Sequence, residues 1–333
     1  MNNAINKKID NMKNLVELHI HFDGALSIDN CKDIAKRQNI EIPNEEEMKK
    51  LMMVPKGCKD LNEFLTKFEF SCSLLQTKDG IKYGIKNLLD ELKMQGYIYV
   101  EIRFAPQLHT SKGLTQEDVV ISAIEGLNLS SLKCNLILCC MRNNNNHDEN
   151  VETVRVAKNY LGKGVCGIDL AGAEGLYKTK DFEDIFKYAS ELNIPFTIHA
   201  GEADGPESVY DAIKFGAKRI GHGVRSSEDI NLVKLISDKN ITLEVCPTSN
   251  ICTSIYDAVK DVPIRYFINN NINITINTDD PTVCNTNLKE ELKLVANNFN
   301  LSYEDIVKLQ LNAINSSFAS DDVKEELSKL IIN

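Results

Sequence analysis

The stretch LVELHIHFDGAL, residues 15–26, decides how the chain is read. Leu15, Val16, Leu18, Ile20 and Phe22 supply the apolar and β-branched side chains that a buried pleated surface accepts, so the run reads as a strand. His19 and His21 stand two apart, which in a strand points both imidazoles to one face. Asp23-Gly24 carries turn chemistry and ends the strand, so the histidines lie near its C-terminal end. Two neutral imidazoles there are half of a zinc site, although HxH alone equally describes two polar residues on a wet strand face.

Seven further apolar runs follow: YIYVEIRF (97–104), CNLILCC (134–140), VCGIDLA (165–171), IPFTIHA (194–200), RIGHGV (219–224), ITLEVCP (241–247) and INITINT (272–278). Most are near-continuous in apolar residues, as parallel strands buried on both faces require. Helical patterns lie between them, such as residues 81–96, 117–132, 181–193 and 229–240. Eight strands alternating with helices predict an α/β fold, a (β/α)8 TIM barrel, as one domain over residues 1–333. A doubly wound open sheet is the runner-up, but no Gly-rich phosphate loop follows the first strand.

Two departures from even spacing stand out. Residues 27–96 are far more than a barrel connection needs and carry helical patterns, so they are expected to fold over the mouth as a helical lid. Residues after 288 read as C-terminal helices closing the outside of the barrel. Residues 1–13, mostly polar, are expected to form a flexible tail.

The composition of 333 residues is 43% hydrophobic and 26% charged, an ordinary globular profile. A net charge of −10 without any dense basic run argues against nucleic acid and anionic membranes as partners. No apolar run approaches membrane-spanning length, and the N-terminal residues lack a signal-peptide core. The ten cysteines fall irregularly and read as reduced, mostly buried thiols. The expected setting is the cytoplasm, with monomer and homo-oligomer both compatible.

In a barrel, side chains at the C-terminal strand ends converge on one mouth. His19 and His21 lie there from strand one, His199 and Glu202 from strand five, His222 from strand six, and Asp279 and Asp280 from strand eight. Of six histidines in the chain, four therefore fall at strand ends, while His109 and His147 lie elsewhere. Each alone reads as an ordinary hydrogen-bonded residue, but convergence at one mouth is what a site requires. Three histidines with a carboxylate suit a borderline-soft divalent ion, zinc first, with iron or cobalt open. A nearby carboxylate such as Glu202 would manage protons, and the set implies metal-assisted hydrolysis at a polarised carbon–nitrogen centre.

ELHIHFDGAL (17–26), VEIRFAPQLH (100–109), IDLAGAE (168–174), TIHAGEADGPESV (197–209), IGHGV (220–224), EVCPTSN (244–250) and NTDDP (277–281), in this order, resemble the adenosine deaminase family of metal-dependent hydrolases. The resemblance runs from strand one to strand eight. It implies a barrel with one zinc ion per chain at its mouth and a small purine nucleoside as partner, adenosine being hydrolysed to inosine and ammonia. On the matching positions it implies His19, His21, His199 and Asp279 as metal ligands and Glu202 as donor to the purine ring nitrogen beside the attacked carbon. It further implies His222 as the residue that orients and helps deprotonate water. Asp280 and the Gly172 N–H would hold the two edges of the ring, and Asp23 the ribose. LNEFLTKF (61–68) resembles the family's hydrophobic gate, with Leu61, Phe64, Leu65 and Phe68, although the same spacing describes any amphipathic helix on a barrel. Ala173 stands where the family often has an acidic residue. Adenine deaminases resemble this family but usually carry Glu at the position of Asp23. That enzyme, another amidohydrolase and a non-catalytic binding protein are the alternatives. Arg103 and Arg225 are the few cationic candidates for a substrate phosphate.

Overall fold

Two parallel four-stranded sets build the centre of the molecule. The first is β1 (Leu15–His21), β2 (Tyr97–Phe104), β3 (Lys133–Met141) and β4 (Val165–Ala171), hydrogen-bonded in that order. The second is β5 (Thr197–Ala200), β6 (Arg219–His222), β7 (Thr242–Val245) and β8 (Asn273–Ile276). Single bridges from Ile168 to Phe196 and from Ile20 to Asp279 join the sets into a ring. At the second bridge, His21 N donates to Asp279 O at 2.8 Å and Asp279 N to His19 O at 3.0 Å. Closure of this kind removes the sheet edges that an open sheet would have to protect. The computed structural model, which describes residues 2–55 and 57–332, is thus the (β/α)8 barrel that the alternation predicts.

Several strands are shorter than their apolar runs. β6 stops at His222 because that residue adopts φ 58°, and Asp279, just beyond β8, adopts φ 63°. Left-handed backbone cannot continue a parallel ladder, and non-glycine residues held there cluster at functional sites. Phe22, expected as the last strand residue, instead opens a one-turn helix, Phe22–Ala25. Gly24 lies inside that turn, and its role is steric: a Cβ there would come within 1.8 Å of Asp280 Oδ1. The glycine therefore lets the β8 loop close against the end of β1.

The expected lid divides in two. Helix Lys78–Gln95 packs beside helix Gln116–Leu127 and buries Ile81, Ile85, Leu88, Leu89 and Leu92 in the main core. It is the barrel's own outer helix before β2, so the lid proper ends ahead of it. Over the mouth lie Val54, Cys58, Leu61, Phe64 and Phe68, which cluster with Val283 and Cys284 of the β8 loop. Val54 N donates to Val283 O at 3.1 Å, and Ser254 Oγ to Cys58 O at 2.5 Å.

The tail expected at residues 1–13 is instead a helix, Asn2–Asp10, packed on helix Leu288–Phe299. Ile9 is fully buried and Met12 nearly so, and Lys293 Nζ reaches Asp10 Oδ1 at 2.9 Å. Tertiary burial of a few apolar side chains outweighs the polar composition that suggested disorder. At the other end, helix Tyr303–Ser316 lies against β1 and β8, and Gln310 Oε1 accepts from Val16 N at 2.7 Å. All ten cysteines are free, most of them buried. Among the described residues no helix is long and apolar enough to cross a membrane.

Candidate active site

The C-terminal ends of the strands surround a cavity of about 210 Å³. Its walls include His21, Asp23, Gly172, His199, Glu202, His222, Asp279 and Asp280, with Leu61, Phe64, Leu65 and Phe68 above them. Every residue expected to bind metal or substrate or to move a proton lines this space except His19, which lies fully buried beneath it; Arg103, Ala173 and Arg225 lie outside it. Gly221 makes room for that ring, since a Cβ there would sit 3.1 Å from His19 Cε1.

One ligand atom from each of His19, His21, His199 and Asp279 falls within 4.8 Å of the others. His21 Nε2 and His199 Nε2 are 3.2 Å apart, and Asp279 Oδ1 lies 3.0 Å from His19 Nε2 and 3.3 Å from His21 Nε2. The outer nitrogens fix which way the inner ones face. Glu244 Oε2 stands 2.8 Å from His19 Nδ1, and Asp169 Oδ2 stands 2.8 Å from His199 Nδ1. Glu244 hydrogen-bonds His19 Nδ1 and so leaves its Nε2 lone pair directed inward, and the Asp169 charge beside His199 Nδ1 favours the proton on that side of the His199 ring. His19 Nε2 is buried and makes no hydrogen bond of acceptable geometry. Burial also lowers His199 to about 4, so that ring is neutral, as a metal ligand must be. Three imidazole nitrogens and one carboxylate oxygen are the donors a borderline-soft divalent ion such as zinc takes. A second grouping, His19, His222, Cys246 and Asp279, is also compact, but it shares two members with the first.

The carboxylates that orient the rings are themselves neutralised. Arg103 Nη1 donates to Asp169 Oδ2 at 2.9 Å and Nη2 to Glu244 Oε2 at 2.7 Å. Arg219 Nε donates to Glu244 Oε1 at 2.6 Å. Burial alone would raise Glu244, but Arg103 and Arg219 outweigh it and hold the group well below the carboxylate range. Arg103 is therefore committed to this network, and Arg225 is paired with Glu228 on the outside. Among the described residues no lysine or arginine lines the cavity.

Three acidic groups at the mouth divide into opposite states. Burial pushes Asp279 up, yet the adjoining His19 and His222 rings outweigh it and bring it well below its usual range. Asp280 moves the other way, raised well above normal by burial and by Asp279, Asp23 and Glu202. Its Oδ1 is buried without a hydrogen-bond partner. Glu202 is also raised well above normal, chiefly by burial and then by Asp279 and Glu174. Carboxyls whose environments drive their pKa values apart are the usual basis for distinct acid and base roles. His222 Nε2 lies 3.7 Å from both Glu202 Oε2 and Asp279 Oδ2, while its Nδ1 is 3.2 Å from the Asn250 amide. Ser249 Oγ donates to Asp279 Oδ2 at 2.7 Å.

Reading the sequence missed Asp169, Glu174, Glu244, Ser249 and Asn250, and left open which of Arg103 and Arg225 is structural; Arg103 belongs to the buried network. A signal existed for some of them. Asp169 and Glu244 are single charges inside otherwise apolar strands, and Arg103 shares an otherwise apolar strand with Glu101; such charges need buried partners.

The model of the family described as "Adenosine deaminase" matches residues 14–333. Among similar proteins, an adenosine deaminase from Haemophilus ducreyi is 43% identical over 323 residues, covering 94% of each chain. Among solved structures, an adenine deaminase from Arthrobacter aurescens is 26% identical with a TM-score of 0.84, covering 96% of this chain and 98% of that one. An amidohydrolase from Burkholderia ambifaria with bound Zn shares the fold at a TM-score of 0.84 and 21% identity, covering 98% of this chain and 94% of its own. The chain belongs to the adenosine deaminase family.

Proposed function

We propose that the chain hydrolyses adenosine and 2′-deoxyadenosine to inosine and 2′-deoxyinosine with release of ammonia, as an enzyme of purine salvage in the cytoplasm. The observation that carries this reading is the pairing of a buried Glu202, whose pKa burial raises, with an inward-facing three-histidine, one-aspartate donor set in one cavity. His19, His21, His199 and Asp279 would hold a single zinc ion, which when bound supplies Lewis-acid activation of water at neutral pH.

The chain's own residues do the rest. Glu202, neutral because it is buried, donates its proton to the ring nitrogen beside the amino-bearing carbon, making that carbon electrophilic. His222 faces the same place and takes a proton from the attacking water, which a neutral imidazole can do. The amino group leaves as ammonia after taking the proton that His222 received from water. As the carbonyl forms, the remaining hydroxyl proton returns to Glu202, whose own proton stays on the ring nitrogen. Asp280 is also neutral, so its O–H can donate to the imidazole edge of the purine. The Gly172 N–H would meet the other ring edge and Asp23 the ribose, beneath a cover of Leu61, Phe64, Leu65 and Phe68 that excludes water. A spectrophotometric assay of adenosine, 2′-deoxyadenosine, adenine and AMP side by side tests the proposal. Adenine deamination is the alternative reading, and turnover of adenine with adenosine untouched would establish it.

A further inference from the structure

Glu174 closes the block IDLAGAE and is 1% exposed. Its Oε2 accepts from the backbone N–H groups of Glu202, Ala203 and Asp204 at 3.0, 2.7 and 3.0 Å. Its Oε1 accepts from Gly201 N at 2.7 Å and from Ser208 Oγ at 2.5 Å. Successive amides that point into one concavity form an anion nest, here filled by the protein's own carboxylate. Ser208 belongs to the first turn of helix Pro206–Phe215, so the charge also faces the positive end of that helix. The loop it shapes could not take this path freely. Gly201 has φ 68°, and a Cβ there would meet Val209 Cγ2 at 2.5 Å.

From this geometry we infer that Glu174 is a positioning residue for catalysis: it folds the Gly201–Asp204 loop around its carboxylate and so aims Glu202 into the cavity. Glu174 does not line the cavity and touches neither the donor set nor a substrate; it acts through Glu202. The inference rests on the deamination reading for its kinetic readout only.

The test compares Glu174→Gln with the wild type, alone and combined with Glu202→Gln. Both oxygens of Glu174 already accept from donors, so either orientation of a glutamine amide turns an NH₂ toward N–H groups and opens the nest. With metal content unchanged, kcat is expected to fall at least ~10-fold while KM stays within ~3-fold, since loss of aim removes an interaction made in the transition state. In the Glu202→Gln background the same change should cost less than ~2-fold, because the residue being aimed is already disabled. An equal loss in both backgrounds, or an unchanged kcat, overturns the inference. Should Glu174→Gln fail to fold, Ser208→Ala removes one donor without adding any atom. A fall in kcat that disappears when Glu202→Gln is present then supports the inference, and none overturns it. Amide hydrogen exchange of Gly201–Asp204 gives a readout free of substrate. Faster exchange confined to these amides supports the inference, and unchanged exchange overturns it. A wild type that leaves adenosine untouched defeats the deamination reading alone, and the exchange measurement still decides the role of Glu174.

Discussion

His21 Nε2 and His199 Nε2 face each other at 3.2 Å, one from β1 and the other from β5, the first strand of the opposite sheet set. Two imidazoles brought from opposite sides of a closed barrel cannot be pushed apart without disturbing the ring of strands. The donor set is therefore preformed, and its two outer anchors, Asp169 and Glu244, share Arg103.

That architecture predicts how metal binding responds to change. Purified protein should hold one equivalent of zinc, and removing it should abolish activity while the barrel stays folded. Asp169→Asn and Glu244→Gln should each weaken metal affinity about 10- to 100-fold, the usual cost of losing the group behind a histidine ligand. Chelator competition followed by circular dichroism checks both points. Protein purified without stoichiometric transition metal, or barrels that unfold on chelation, would contradict this account.

Proton donation by Glu202 gives a prediction with a direction in pH. Burial, Asp279 and Glu174 raise its pKa, so the acid form needed for donation exists below that raised value and is lost as pH climbs through it. Glu202→Gln should lower kcat by at least ~10²-fold with metal content unchanged, and the alkaline fall in rate that Glu202 causes should vanish. Near-normal turnover by this variant would assign the proton to another group.

The strand ends were legible because two short-range rules apply to them: alternation puts His19 and His21 on one face, and barrel topology gathers C-terminal ends. The supporting shell was less legible because its partners are far apart in the chain. Arg103 lies 66 residues from Asp169 and 141 from Glu244. An isolated charge in an apolar strand announces that a partner exists but does not name it. Glu174 ends a block that carried the family resemblance, but nothing in the block gave its role, since it serves backbone groups whose position depends on the folded loop. The N-terminal helix escaped notice for a related reason: its order comes from burying Ile9 and packing on a helix nearly three hundred residues away, not from local propensity.

Glu291 makes stability depend on pH in an unusual sense. Its carboxylate accepts from Thr248 N at 3.1 Å and Thr286 Oγ1 at 2.5 Å, but burial dominates and raises its pKa from 4.5 to about 7. The folded state thus binds a proton that the unfolded chain releases between these values. The contribution is fully present below the unfolded pKa and is lost as pH rises toward 7. Between pH 5 and 8 the loss amounts to about 2.5 kcal/mol, at 1.36 kcal/mol per pKa unit. Glu291→Gln removes this dependence, so urea unfolding should show the wild type losing about that much more stability than the variant over the interval. Parallel pH profiles for the two proteins would rule the effect out.

Substrate choice turns on Asp23, which is 7% exposed and shares the cavity wall with His21 and the gate residues Leu61, Phe64, Leu65 and Phe68. Cys72 Sγ, from the helix behind the gate, lies 3.4 Å from its Oδ2, which steadies the carboxylate without occupying both oxygens. The short side chain leaves room between itself and the donor set, where a ribose hydroxyl could donate to it; a glutamate would reach further and fill part of that space. A 5′-phosphate would meet no lysine or arginine in the described wall and would face Asp23 as a like charge. Adenosine and 2′-deoxyadenosine should therefore be good substrates, with adenine and AMP lower by at least ~10²-fold in kcat/KM. The scale follows from ~1–3 kcal/mol for each buried polar group left unpaired, with more than one such contact to the sugar. Asp23→Ala should reduce the preference for adenosine over adenine by ~10-fold or more while leaving metal content intact. If Asp23 merely supports the Phe22–Ala25 turn, the variant loses thermal stability and keeps the wild-type ratio. An unchanged ratio would remove Asp23 from the substrate site.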